Sequence, residues 1–142
     1  MSLSRQEKVA WLRRVPLFAG CGPEVVERLA DGAGEVSFAS GEVVVQQGQV
    51  GNGLYIVVSG SVSVVAGDEE LARLGPGETI GELSVIDQQP RAATAVALET
   101  TDCLGLASWE VIALLEQDPS LAMNLLRELA GRLRQADARL RQ

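Results

Sequence analysis

Two oppositely charged residues, Glu82 and Arg91, stand nine positions apart in this 142-residue chain, within Gly81-Glu82-Leu83-Ser84-Val85-Ile86-Asp87-Gln88-Gln89-Pro90-Arg91-Ala92-Ala93-Thr94. Their types suggest complementary tasks. Arginine carries a planar, permanently charged fork suited to phosphate. An ionised glutamate accepts a hydrogen bond from a sugar hydroxyl but repels a phosphate. Between them, a short helical turn from Glu82 to about Asp87 would aim its free N–H groups at an anion. Gly81 lets backbone come close to a ligand, and Ala92 and Ala93 leave the neighbouring main-chain amides uncovered. The stretch therefore reads as a site for a molecule bearing both a phosphate and a sugar hydroxyl. Plainer readings exist: Arg91 in an ion pair with Glu82 or Asp87, Glu82 as an acid favoured by a helix N-terminus, and Leu83 as core.

Other chemistries have little to work with. The sequence contains no histidine, which removes the commonest general base and the commonest zinc ligand. Its two cysteines, Cys21 and Cys103, sit among apolar or small neighbours and read as buried reduced thiols. With no nucleophile–base pair, the chain is expected not to be an enzyme. A net charge of -7 argues against direct DNA binding, which needs clustered basic charge. No run is long and apolar enough for a membrane span and no signal-peptide pattern opens the chain, so a cytoplasmic location is expected. Met1-Ser2-Leu3 is compatible with a vector remnant, which leaves open whether the natural protein extends beyond either end.

The elements that must position Glu82 and Arg91 follow from pattern. Ser4 followed by Glu7 is a capping box opening a helix over residues 4–14, and Pro23 starts a short helix reaching about Ala30. Residues 35–107 are rich in valine and broken by glycines, which suggests short strands in an antiparallel roll. Leu54 to Val58 is continuously apolar, Ser61-Val62-Ser63-Val64 alternates, and Ser59-Gly60 between them reads as a tight turn. Gly75-Pro76-Gly77 is another turn, feeding the Glu82–Arg91 stretch. Ser108 is expected to cap a helix to about Gln117. Asp118-Pro119 restarts a longer one to about residue 140. The fold class is thus α+β, mainly β: an antiparallel β-roll or jelly roll (about 35–107) with short N-terminal helices and two C-terminal helices (about 108–117 and 118–140), in a single domain spanning 1–142.

The last helix carries Leu126, Leu129, Leu133, Ala136 and Leu140 at heptad spacing. This stripe is either a homodimer seam or a face packed on the chain's own roll. Arg132, Arg134, Arg139 and Arg141 make the same end basic, which is also what a solvated helix terminus looks like.

Gly-Glu-Leu followed by Pro-Arg-Ala-Ala-Thr resembles the phosphate-binding cassette of the cyclic-nucleotide-binding domain family. Gly41 to Gly48 and Leu54 to Val62 resemble that family's glycine-punctuated early strands, and Pro16-Leu17-Phe18 its opening segment. The likeness runs over roughly residues 14–135. It implies that Arg91 pairs with the cyclic phosphate and Glu82 accepts from the ribose 2′-hydroxyl. Gly81, Leu83 and Ser84 would contribute backbone groups, and Ala92 a further amide. In the family, threonine directly after the arginine favours guanine; Ala92 has no hydroxyl, so cAMP is expected over cGMP. Val62 and Val64 either line the base or are ordinary core. Arg132 is positioned to stack on the purine as a lid, with Leu129 and Leu133 as rivals and a solvated arginine as the plain alternative. Ile80 departs from the aromatic residue that many members place before Gly-Glu.

Three functions remain open. The chain is a cAMP-binding sensor whose ligand repositions the C-terminal helices and so acts on an unknown downstream protein; or the sensor fragment of a larger transcription regulator or channel; or a degenerate, non-binding interaction module. The retention of both Glu82 and Arg91 argues against the last.

Overall fold

The computed structural model describes residues 2–140; Met1, Arg141 and Gln142, and the side chain of Leu83, lie outside the described part. Two four-stranded antiparallel sheets face each other as a β-roll, flanked by helices. One sheet has the order β1 (Gly34–Phe38), β8 (Thr101–Ala107), β3 (Gly53–Ser59), β6 (Thr79–Ile80). The other runs β2 (Val43–Val45), β7 (Thr94–Ala97), β4 (Val62–Ala66), β5 (Glu69–Leu74).

The continuous apolar run in β3 is explained by burial on both faces. Leu54 and Ile56 join Leu104 and Leu106 of β8 in a core under the helices, while Val57 and Cys103 face the roll interior. The pairing register sets these partners side by side: Leu54 opposite Leu106, Ile56 opposite Leu104, Val57 opposite Cys103. Ile56 is fully buried, and truncating it to alanine should cost about 2–5 kcal/mol. Gly60 turns β3 into β4 with φ of 97°, a conformation that disfavours any side chain.

The helices close the other side. α1 (Arg5–Arg13) opens with the expected capping box between Ser4 and Glu7. α2 (Pro16–Ala19) is a single turn that buries Leu17 and Phe18. α3 (Pro23–Gly32) buries Val25, Val26, Leu29 and Ala30. α5 (Ser108–Gln117) and α6 (Pro119–Leu140) complete this layer through Val111, Leu114, Leu121 and Leu125. The Asp118 carboxylate accepts from the amides of Ser120 at 2.9 Å and Leu121 at 3.4 Å, as an N-cap should.

Ser108 does not cap α5. It is the first helical residue, Ala107 holds the extended cap position, and the buried Ser108 hydroxyl has no partner among the described residues. The reason lies in its backbone: the Ser108 amide donates to the Asn52 carbonyl at 2.7 Å, which ties the helix start to the β3 approach.

The heptad stripe is not a core face. Leu126, Leu133 and Leu140 are 60%, 64% and 85% exposed, and only Leu129 of the stripe packs on the helical core. Core contact belongs instead to Leu121 and Leu125, and residues 130–140 project with every side chain exposed. Both cysteines are free and buried.

Candidate functional site

The roll interior is filled at one end by Phe38, Val57, Val62 and Cys103, with Phe38 and Tyr55 in edge-to-face contact at 5.8 Å. At the other end small residues leave space. Ala72, Ala93 and Ala95, with Val45, Val64 and Leu74, line the apolar part of a cavity of about 310 Å³. That volume lies at the lower end of the roughly 300–1,000 Å³ usual for small-molecule sites. Its polar rim comes from Thr79, Gly81, Glu82, Ser84, Arg91 and Ala92.

The rim is built by one continuous segment. β6 ends at Ile80; Gly81, with φ of 89°, then turns the chain into α4 (Glu82–Asp87), and Gln88, at φ 57°, ends that helix. Among the described residues, no side chain caps the α4 N-terminus. Fully buried Val85 anchors α4 in the helical core, so its first turn is held against the cavity. Pro90 then bridges to Val50, and the Arg91 amide donates to the Gln49 carbonyl at 2.9 Å before the chain enters β7.

Arg91 is 7% exposed. Its Nη2 donates to the Gly53 carbonyl at 2.7 Å and its Nη1 to the Gly81 carbonyl at 3.4 Å. Among the described residues, no carboxylate forms an ion pair with it. The ion pair with Glu82 or Asp87 that the sequence allows is therefore not formed. Burial pulls the guanidinium below the usual arginine range, opposed by Tyr55, yet arginine stays charged at any physiological pH. A buried cation held only by carbonyl dipoles is costly, and an anion in the cavity would relieve that cost.

Glu82 is engaged differently. Its Oε2 accepts from the Thr79 hydroxyl at 3.1 Å and its Oε1 from Arg132 Nη1 at 2.8 Å. Arg132 also lies 3.6 Å from Glu128 one turn back on α6. Arg132 stays exposed, as the solvated reading expects, and is also ion-paired with the Glu82 carboxylate. Leu129 and Leu133, the rival lids, do not line the cavity. Val64 lines it, whereas Val62 is fully buried core.

The structure thus brings together Gly81, Glu82, Ser84, Arg91 and Ala92 around one cavity, while Arg132 reaches Glu82 without lining it. Leu83 lies in α4. Sequence reasoning missed the Arg91 acceptors, the Thr79–Glu82 bond and the alanines that keep the roll hollow. The only local hint was Gly51-Asn52-Gly53, a glycine pair directly before an apolar strand.

A two-sheet roll whose cavity is edged by a helix N-terminus, a buried arginine and a glutamate defines a class of ligand-binding domain. The chain belongs to the cyclic nucleotide-binding domain family, whose model matches residues 35–118. It is 41% identical over 130 residues to the Cyclic AMP receptor protein of Thermus thermophilus, covering 88% of this chain and 60% of that protein. Among solved structures it is similar to the Thermus thermophilus catabolite activator protein (TM-score 0.77, 41% identity, 88% of this chain and 61% of that one). It also matches the N-terminal domain of a transcriptional regulator from Streptomyces coelicolor A3(2) (TM-score 0.77, 36% identity, 92% and 94%). The chain spans about three-fifths of the length of the Thermus relative. Among the described residues, no helix is long and apolar enough to cross a membrane.

Proposed function

We propose that this chain is a single-domain cytoplasmic sensor for cAMP, and that the ligand's phosphate takes the place opposite Arg91. The observation that carries the reading is the burial of that guanidinium beside an apolar cavity, with two carbonyls and, among the described residues, no carboxylate for company. The phosphate would sit between Arg91 and the backbone of Ser84 and Ala92, with Gly81 and Leu83 bordering the ribose. Glu82 would accept from the ribose hydroxyl, and the purine would lie along Val64 and its aliphatic neighbours. Ala92 offers no hydroxyl to a guanine amino group, which favours cAMP over cGMP.

The output is carried by α6. Arg132 ties that helix to Glu82, so a ribose hydroxyl arriving at the same carboxylate changes the tie and biases the position of the helix. Only a difference in ligand affinity between the two helix positions can drive such a switch. The exposed Leu126, Leu133 and Leu140 supply a homodimer seam along α6. The names of the similar proteins favour a second, compatible reading: the chain is the sensor part of a transcription regulator, with DNA contacted by residues other than these.

Calorimetric titration with cAMP and cGMP tests the reading. One-to-one cAMP binding is expected, weaker for cGMP. Arg91→Ala should lose about 1.5–3 kcal/mol, roughly tenfold to a hundredfold in affinity. Absence of binding to either nucleotide by folded protein would leave only the degenerate interaction module.

A further inference from the structure

We propose that Gly51 is a positioning residue for the anion end of the cavity, supplying the hollow in which the Arg91 guanidinium is held. The inference rests on the phosphate role of Arg91 proposed above. A Cβ built on Gly51 would fall inside contact distance of Arg91 Nη2, Cζ and Nε together. Gly51 is not among the glycines with positive φ, so its backbone does not require glycine; the space beside it does. Gly81 is equally close to Nη1, but its φ of 89° would confound any substitution there.

The strap around Gly51 has little freedom to retreat. Val50 is bridged to Pro90, and the Gln49 carbonyl accepts from the Arg91 amide. On the other side the Asn52 carbonyl holds the Ser108 amide at 2.7 Å, and Gly53 begins β3. With both neighbours pinned, an added methyl group displaces the guanidinium rather than the strap. Arginine has five N–H donors. Two are occupied by Gly53 and Gly81, and the others remain for an anion. Held this way, the fork is set before ligand arrives, which spares the ordering cost of binding.

The test compares wild type, Gly51→Ala and Arg91→Ala by calorimetry with cAMP, by thermal unfolding, and by NMR of solvent exchange at the Arg91 side-chain N–H without ligand. Gly51→Ala is expected to weaken cAMP binding on the order of tenfold, to speed exchange at Arg91, and to leave the unfolding midpoint in place. Wild-type cAMP affinity in Gly51→Ala, with affinity lost in Arg91→Ala, would overturn the role of Gly51 and leave the phosphate role standing. Wild-type affinity in Arg91→Ala would overturn both. Weakened binding with unchanged exchange, or with a fallen midpoint, would also overturn it, since the defect would then be general damage.

Discussion

Arg132 and Glu82, fifty positions apart in sequence, are joined by a 2.8 Å charge-assisted hydrogen bond between α6 and the first residue of α4. Glu82 lines the cavity and Arg132 does not; the glutamate is about one-fifth exposed and the arginine about two-fifths. An ion pair this accessible is worth about 0.2–1 kcal/mol. That is too little to hold the fold together, and a competing donor at Glu82 is enough to replace it.

Arg132→Ala should therefore uncouple more than it weakens. We expect cAMP affinity to change by less than about fivefold, the equivalent of 1 kcal/mol. Ligand-dependent protection of α6 amides, measured by hydrogen exchange, should be lost. Protection that persists unchanged would mean that α6 senses ligand by another contact.

Ala92→Thr should raise affinity for cGMP about fivefold relative to cAMP, the worth of one added hydrogen bond near 1 kcal/mol. Competition binding of both nucleotides to the variant measures the ratio. An unaltered ratio would show that the residue after Arg91 does not face the base in this protein.

A pair of charges on the exposed stripe of α6 should separate protomers. Sedimentation is expected to give a dimer for the wild type and a monomer for Leu126→Glu with Leu133→Glu, since both leucines are mostly exposed and touch no core. A wild-type monomer would remove the homodimer from the proposal without touching the cavity.

Alkaline stability should report Cys103. Burial first, and Asp102 next, push its thiol from 9.0 up to about 11. Its neutral form thus stabilises the fold below the unfolded-state value. That contribution is lost as pH rises from 9 to 11, where the unfolded thiol has ionised and the folded one has not. The slope is about 1.4 kcal/mol per pH unit. Denaturant unfolding across this window should show the decline in wild type and a shallower one in Cys103→Ala.

The parts of this molecule that local physics decides were legible in the sequence. Ser4 with Glu7, Asp118 with Pro119, and the glycine at position 60 each signal a boundary through a bond or dihedral made within a few residues. Gly81, Glu82 and Arg91 were legible as candidates because a glycine-led turn precedes an acid and an arginine nine positions apart, and the structure sets all three around one cavity. What failed depends on distance. Ser108 looks like a cap, yet Asn52 claims its amide from another element. Val62 and Val64 share a strand face, but alternation says nothing of depth, and only Val64 reaches the cavity. The α2 turn is too short to show a period. The Arg132–Glu82 bond has no local trace, because α6 reaches α4 only after the roll has formed between them.

The anchoring of α4 has a consequence for how this protein can change over generations. A six-residue helix does not hold its shape unaided in water. α4 keeps its shape because Val85 is sunk in the same core as Leu121 and Leu125 of α6. A substitution that loosens that core also loosens the cavity rim proposed to hold the nucleotide. Thermal robustness and ligand grip are inherited together, and selection on either will be felt by the other.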